Sequence, residues 1–404
     1  MERVRNAFLT LLQSGLWGRD PVTEDFAGLS DEEWDEIFRM SGRQTVTGIV
    51  FDGICRLPEE SQPSERQFAG WVVAVDRIES GNRRMNAALK ELAALFAGNG
   101  LWPVLLKGQG IAALYPTPAH RECGDIDFYF STDLTKHTSS EVSSDCPFDR
   151  LRDRAVEIIE SKGIKVSRMP DGSLNYSWKG IEIEHHPSVV DLNSPRLKNW
   201  VKTLDNDPGF VPSSLADGLW EPSPELNALL LNTHILKHAI GKGVGLRQMC
   251  DLAMAYHRMS EEGKSAERGE RIFSLYRRAG ILKWSRLLHS FLVGVIGLPK
   301  EELPYSEKDV DYAPLMTVVE EGGNFGQYRS GGYEGSGVRP FDKIRDRKGI
   351  GTRPFDGLRD RGGAIRRKLS TAGMFFRRAG FSLRYAPGEA FWMFTELVKG
   401  QFRK

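Results

Sequence analysis

The chain has 404 residues, of which 40% are hydrophobic and 27% charged, and this composition excludes a wholly disordered or collagen-like protein. Its 55 basic and 54 acidic residues give a formal net charge of +1, so global charge gives no support for a dedicated nucleic-acid binder. The four cysteines have no CxxC spacing, which disfavours a disulfide scaffold or a zinc ribbon. No apolar run reaches the roughly 18–20 residues that cross a bilayer. We therefore expect a cytoplasmic protein without a transmembrane segment.

The first hundred residues have the pattern of amphipathic helices. The segment Ser30 to Glu33 has the form of a capping box, and apolar residues follow it at helical spacing. A long periodic stretch between Phe68 and Phe96 ends at glycines, as helices commonly do.

Between residues 100 and 190 the pattern changes to short strands. The run 103–106 is apolar, and 125–130 alternates between acidic or aromatic and apolar residues. A helix is predicted near 149–161. Further strands are predicted at 164–168, 174–178 and 181–185. From residue 222 the helical period returns. We therefore predict an α+β fold, in which a small mixed β-sheet of about five strands is flanked by N- and C-terminal helical regions.

The C-terminal part is unlike the rest of the chain. Residues 339–404 contain 17 Lys and Arg against 6 Asp and Glu, whereas the residues before them have a net charge of −10. The segment RPFDKIRDR (339–347) recurs as RPFDGLRDR (353–361), which favours a local duplication in a flexible loop over a binding element. For the basic, aromatic end we favour helices packed on the core, and the alternative is a docking surface for an anionic partner. The predicted regions are 1–82 (helical), 83–212 (α/β core), 213–321 (helical), 322–363 (Gly-rich loop) and 364–404 (basic aromatic helices).

The candidate site begins with Asp125 and Asp127. Residues i and i+2 of a strand face the same side, so two carboxylates lie close together and need a positive partner to stay ionised. A divalent cation is a natural partner, because Mg²⁺ prefers carboxylate and phosphate oxygens. A later strand offers a third carboxylate, for which we favour Glu184, and Glu182 is the alternative.

Basic and glycine residues near these acids favour a phosphate-bearing substrate. A turn at Lys107, Gly108 and Gln109 follows the first strand and leads into a short helix, where backbone N–H groups can approach a phosphate. Lys107 either pairs with phosphates or closes the turn. Arg121, four residues before Asp125, is a candidate for holding phosphate oxygens.

In these residues the sequence resembles the polymerase-β-type nucleotidyltransferase superfamily, and within it a bacterial family of uncharacterised nucleotidyltransferases. The likeness is carried by LLKGQGIAALYPTPAHRECGDIDFYF (105–130), the later acid-x-His strand end, an LRxxCD helix and GNFG. It extends from about 85 to 326. In this sequence those later elements are Glu184 to His186, Leu246 to Asp251, and Gly323 to Gly326.

The resemblance implies transfer of a nucleotidyl group from an NTP, with ATP as the first choice, to a hydroxyl-bearing acceptor. It implies two Mg²⁺ ions, or Mn²⁺, held by Asp125, Asp127 and Glu184. It also implies nucleotide binding by Lys107, Gly108, Gln109, Arg121, His186 and Arg247. The acceptor is a glycan, small molecule, protein or nucleic acid, and the family's frequent association with surface-polysaccharide gene clusters favours a glycan.

Two departures from the superfamily concern triphosphate binding. The first strand is followed by Gly108-Gln109 where Gly-Ser or Gly-Gly is usual, and the spacing from Gly108 to Asp125 is longer than in well-studied branches. The alternative function is therefore a non-catalytic binding or regulatory module with the same fold. Separately, His234 and His238 stand at i, i+4 and could bind zinc, but the HExxH pattern is missing, so we do not favour this interpretation.

Overall fold

The computed structural model describes residues 2–131, 134, 148–169, 171–207, 209–241, 243–263, 265–323 and 378–402. Within these residues it contains 14 α-helices and a seven-stranded mixed sheet, with helical N- and C-terminal regions. The α+β prediction is confirmed. The duplicated RPFDxxRDR segments, most of the predicted Gly-rich loop, the GNFG residues after Gly323 and the first part of the predicted basic C-terminal region lie outside the described residues.

Four helices precede the sheet. The second begins at a capping box, in which the Ser30 hydroxyl accepts a hydrogen bond from the Glu33 amide and the Glu33 carboxylate accepts one from the Ser30 amide. The capping signal in the sequence therefore identified this helix start. The helices are α1 (Glu2–Trp17), α2 (Asp31–Gln44), α3 (Thr47–Ile54) and α4 (Glu65–Ala97).

The seven strands of the sheet are β1 (Pro103–Leu105), β2 (Asp125–Phe130), β3 (Ser167–Arg168), β4 (Leu174–Trp178), β5 (Ile181–His185), β6 (Phe210–Pro212) and β7 (Trp220–Pro222). Their order in the sheet is β3-β4-β5-β2-β1-β7-β6. At the centre, β2 pairs in parallel with β5 and antiparallel with β1.

The prediction of about five strands was wrong by two. Strands β6 and β7 have three residues each and both end in proline, so they show neither the length nor the alternation that identifies a strand in a sequence. The strand predicted at 164–168 is reduced to two residues in β3. The proposed division into five regions stays a prediction, although α4 continues through residue 82 and β7 joins the sheet from beyond residue 212.

Helices pack around the sheet and form most of the other regular structure among the described residues. The helix Leu282–Phe291 continues into a π-helical turn at Leu292–Ile296. No helix among the described residues is long and apolar enough to cross a membrane. The remaining helices are α5 (Gln109–Ala112), α6 (Phe148–Glu160), α7 (Pro195–Val201), α8 (Pro224–Ile240), α9 (Leu246–Glu261), α10 (Ser265–Ala279), α11 (Leu282–Phe291), α12 (Ala313–Gly322), α13 (Ala379–Tyr385) and α14 (Pro387–Phe402).

The two faces of the central strands differ. Ile126, Phe128 and Phe130 of β2 lie in an apolar cluster with residues of α4, α6 and β5, and all three are at most 2% exposed. Their neighbours on β2 point to the opposite face by the alternation of a strand. The buried face therefore fixes the position of the strand, and the other face is free to carry polar groups.

Candidate active site

Four carboxylates, Asp125, Asp127, Glu182 and Glu184, share the polar face of the paired strands β2 and β5. In the parallel register, Asp127 lies opposite Glu184, and Asp125 lies opposite Glu182. Asp125 and Asp127 are two residues apart on β2, so they project to the same side. The structure thus brings Asp127 and Glu184 together with Asp125 beside them. Glu182, two residues before Glu184 on β5 and opposite Asp125, is exposed.

Asp127 is the buried centre of this group, at 3% exposure. One of its oxygens, Oδ1, is 2.6 Å from His186 Nε2 and 3.3 Å from Lys107 Nζ. The other ring nitrogen of His186, Nδ1, is 3.9 Å from Glu184 Oε1. The family resemblance implies nucleotide binding by His186, and the hydrogen bond of its ring in the structure is to Asp127.

The two aspartates differ in protonation behaviour. Burial alone would raise the pKa of Asp127, but Lys107 and His186 outweigh this effect and hold the pKa well below its usual range. For Asp125, repulsion by Asp127 and then partial desolvation raise the pKa to about 6. Burial lowers the pKa of Lys107, yet Asp127 and Asp125 more than compensate, so the pKa is raised and the amine stays charged.

The donor atoms fit a divalent metal ion. One ligand atom each from Asp127, Glu184 and His186 can be chosen so that all three lie within 4.8 Å of one another. Two atoms bound to the same ion at about 2.0–2.3 Å are closer together than this, so a small movement of the side chains would bring all three atoms into coordination distance. Asp125 stands next to the group on the exposed side and offers a further carboxylate.

The turn after β1 supplies Lys107 but does not present Gln109 to the site. Gly108 has φ of 65°, a conformation that favours glycine, and a Cβ there would lie 3.4 Å from the Asp125 carbonyl oxygen. The Gln109 amide instead donates a 2.7 Å hydrogen bond to Asn86 of α4 and is 3% exposed. Nucleotide binding by Gln109 therefore stays a prediction, for which its backbone and not its engaged side chain is available.

Arg121 is also engaged away from the carboxylates. Its guanidinium is 4% exposed and donates two hydrogen bonds to Asp251 of α9, at 2.7 and 3.1 Å. The Tyr115 hydroxyl donates to the same carboxylate at 2.7 Å. Arg121 therefore anchors the segment before β2 to α9, and its predicted role of holding phosphate oxygens stays a prediction. Sequence spacing alone could not show this, because the partner lies 130 residues away.

Arg247 lies near the site, and its side-chain hydrogen bond is to a backbone carbonyl and not to a carboxylate. Its Nη1 donates a 2.8 Å hydrogen bond to the Glu122 carbonyl oxygen, and its positive charge lowers the pKa of Asp125. Its Nε is buried and has no hydrogen-bond partner in the described structure. Burial lowers the pKa of Arg247 itself. Arg247 and Asp251 stand at i, i+4 on α9, but the Asp251 carboxylate accepts its hydrogen bonds from Arg121.

Helix α8 brings two histidines that the sequence suggested only as a zinc pair. The rings of His234 and His238 contact edge to face, with centroids 4.4 Å apart. Burial, followed by the charge of Lys107, holds the pKa of His234 well below its usual range. Within the described residues neither histidine belongs to a group of three potential metal ligands. The position of His234 near Lys107 was not evident from the sequence.

The comparison with known families decides the relationship. The profile of a family described as uncharacterised nucleotidyltransferases matches residues 30–140 and 149–289, more than half of the chain. The chain belongs to this nucleotidyltransferase family. The matched segments include Lys107, both aspartates of β2, Glu184 and His186. No curated protein and no solved structure gives a significant match.

Membership of the nucleotidyltransferase family agrees with the general chemistry of the site. Enzymes of this kind use divalent metals and nucleoside triphosphates, and Asp127, Glu184 and His186 could hold such an ion. A separate cavity of about 970 Å³ lies between α1, α2 and α12 and includes none of these residues. The carboxylate face of β2 and β5 is therefore the candidate active site.

Proposed function

We propose that the protein is a metal-dependent nucleotidyltransferase that moves an NMP group from an NTP, with ATP as the first choice, to a hydroxyl-bearing acceptor. The observation that carries this proposal is the parallel pairing of Asp127 with Glu184, with Asp125 on the same face. Two rigid strands hold these carboxylates, because the opposite face of β2 and β5 is packed in the core. Family membership supports the reaction class.

The proposed reaction is an in-line displacement at the α-phosphorus of the NTP. The acceptor oxygen forms a bond to that phosphorus, the bond to the bridging α–β oxygen breaks, and pyrophosphate leaves. Divalent ions at Asp125, Asp127 and Glu184, two Mg²⁺ or Mn²⁺, would supply Lewis acidity for the attacking and leaving oxygens. Glu184, whose side chain is 28% exposed, is placed to accept the proton of the acceptor hydroxyl.

Lys107 and Arg247 are the proposed contacts for the triphosphate. Lys107 is bound to Asp127 through one ion pair and has a 19% exposed side chain, so the amine can turn to phosphate oxygens when the charge of Asp127 is neutralised. Arg247 has a buried Nε without a hydrogen-bond partner among the residues that the structure describes, and it lies near Asp125. His186 holds Asp127 in place through a 2.6 Å hydrogen bond.

The acceptor remains a proposal from the family resemblance alone. We infer a glycan linked to surface polysaccharide synthesis as the first class to test, followed by small molecules, proteins and nucleic acids. The experiment therefore uses an unfractionated source of acceptors.

The test is incubation of the purified protein with α-³²P-labelled NTPs, total cell extract and Mg²⁺ or Mn²⁺. We expect label to enter an acceptor with release of pyrophosphate, and no transfer from γ-labelled NTP. Asp125→Ala/Asp127→Ala should abolish transfer. Glu184→Gln should reduce transfer by about 10²-fold or more, as expected for loss of a general base, whereas the matched variant Glu182→Gln, on the exposed neighbouring position, should retain most of it.

The alternative is a non-catalytic binding module, and one observation favours it. Asp127 already has the charged amine of Lys107 and a hydrogen bond to His186 as partners, so the burial of this carboxylate is compensated without a metal ion. Binding of NTP by the folded protein, without label transfer to any component and without pyrophosphate release, would support the module and contradict the enzyme.

A further inference from the structure

The strand that carries Glu184 also carries a histidine on the same face. Glu184 and His186 are two residues apart, so they project to the same side of the sheet, while His185 between them is buried against Phe96 and Phe130. The His186 amide donates a 2.7 Å hydrogen bond to the Phe128 carbonyl oxygen. This bond extends the β2–β5 pairing past His185 and fixes the origin of the His186 side chain next to Asp127.

The imidazole lies between the two carboxylates. Its Nε2 is 2.6 Å from Asp127 Oδ1 and its Nδ1 is 3.9 Å from Glu184 Oε1. The ring is held from both sides and is only 18% exposed. A metal ion that contacts both Asp127 and Glu184 must therefore come within bonding distance of this ring or displace it.

Lys107 and His186 compete for the same oxygen but respond differently to an ion. Both approach Asp127 Oδ1, which is nearly inaccessible to solvent. The ammonium group of Lys107 is positive and has no lone pair, so an incoming cation repels it. A neutral imidazole can keep its place and offer a nitrogen lone pair. An ion is thus expected to displace Lys107 and retain His186.

We propose that His186 is a nitrogen ligand of the ion held by Asp127 and Glu184, and that the site consequently selects a first-row transition ion over Mg²⁺. This proposal rests on the proposed function, which supplies the metal. Mg²⁺ prefers a shell of oxygen ligands in octahedral geometry, and imidazole favours transition ions. A site made of three carboxylates has no nitrogen ligand, so it would lack this reason to prefer a transition ion over Mg²⁺. His186 is therefore the specificity-determining residue of the metal site.

The test measures metal binding by the full chain without nucleotide, using Mn²⁺ as the probe. Pulsed electron paramagnetic resonance should show one directly bound nitrogen, whose coupling changes when histidine is labelled with ¹⁵N. Competition should show Mn²⁺ preferred over Mg²⁺ by ~10-fold or more, and His186→Gln should remove the nitrogen signal and most of that preference. His234→Gln is the matched control and should keep both, since His234 is outside the three-ligand group.

The outcomes separate this proposal from the proposed function. Binding of Mn²⁺ that is lost in Asp127→Asn or Glu184→Gln but shows no nitrogen coupling would overturn His186 as a ligand and leave the enzyme proposal intact. A nitrogen signal that persists in folded His186→Gln would also overturn it. Failure of the wild-type protein to bind Mn²⁺ would contradict both proposals. Because the wild-type spectrum itself is decisive, a poorly folding variant does not prevent the test.

Discussion

A single oxygen of Asp127 contacts both Lys107 and His186. These groups keep Asp127 ionised, and its negative charge raises the pKa of Asp125. Asp127 stays ionised because those two groups lower its pKa despite burial. Asp125 has less compensation and is repelled by Asp127, so its pKa rises to about 6. The pair is therefore prepared for a cation, which would stabilise the ionised form of both carboxylates.

This coupling predicts a gain of stability from a conservative substitution in the metal-free protein. The pKa of Asp125 is raised from 3.8 to about 6 on folding, so the folded protein binds this proton more tightly than the unfolded chain. The stability that the proton contributes is fully present below the unfolded pKa of 3.8 and is lost as pH rises through about 6. Asp125→Asn removes the charge and keeps the shape. We expect its melting temperature to exceed that of wild type by roughly 1–3 °C at pH 8 and by much less at pH 4.

The measurement is calorimetry with a chelator at both pH values. The pH 4 comparison is the internal control, because the folded carboxyl is then protonated and the unfolded carboxyl, with its ordinary pKa of 3.8, is only partly ionised, so little of the difference remains. A lower melting temperature for Asp125→Asn at pH 8 would show that the carboxylate is stabilised, not strained, in the metal-free site.

The positions of side chains that follow from strand alternation were predictable. The hydrogen-bond partners of residues were not predictable where those partners are distant in the sequence. Two-residue spacing was sufficient to place Asp125 and Asp127 on one face. Arg121 and Gln109 were predicted as nucleotide contacts from their position beside the strand and turn. Their actual partners, Asp251 and Asn86, lie on α9 and α4 and depend on tertiary packing that spacing does not encode.

Among the elements, α9 has the clearest influence on the site. Its Asp251 binds Arg121 at 2.7 Å, and its Arg247 binds the Glu122 carbonyl oxygen at 2.8 Å. Both contacts hold the two residues that precede the turn into β2. Through these hydrogen bonds α9 braces the segment that leads into the catalytic strand.

Helices α1 and α3 approach each other through glycines, and this contact gives a second prediction. A Cβ at Gly15 would clash with the Ile49 carbonyl oxygen and lie 2.9 Å from the Gly53 amide nitrogen. Gly15→Ala should therefore destabilise the protein by about 1–3 kcal/mol, the usual effect of overpacking.

The matched control for Gly15 is Gly81, in the middle of α4, where an added Cβ meets nothing within 4 Å. Gly81→Ala should stabilise by about 0.5–1 kcal/mol, because alanine loses less backbone entropy in a helix. Equilibrium denaturation of both variants checks the pair. Equal shifts, in either direction, would contradict the close approach of α1 and α3.

At the scale of the whole molecule, the sheet and the helices around it are not independent. Strand β7, at Trp220–Pro222, pairs with β1, and α4 begins at Glu65 and contributes Phe96 to the core beneath β2. The strong periods of the long helices made them predictable. The edge strands β6 and β7 were not predictable, because their three-residue lengths are stabilised by neighbours in the sheet and not by local sequence.

This continuity predicts that residues 83–212 will not fold alone. Such a fragment lacks β7 and the first half of α4, and it also lacks α9, which holds Arg121 through Asp251. Arg121 is then left without the partner that compensates its burial, a loss of about 3–5 kcal/mol in folded proteins. The exposed apolar face of a small sheet adds to the cost. We expect an aggregating or unfolded fragment by circular dichroism and size-exclusion chromatography, compared with the full chain as control. A soluble fragment with a cooperative melting transition would instead show that residues 83–212 form a domain whose stability does not require the surrounding helices.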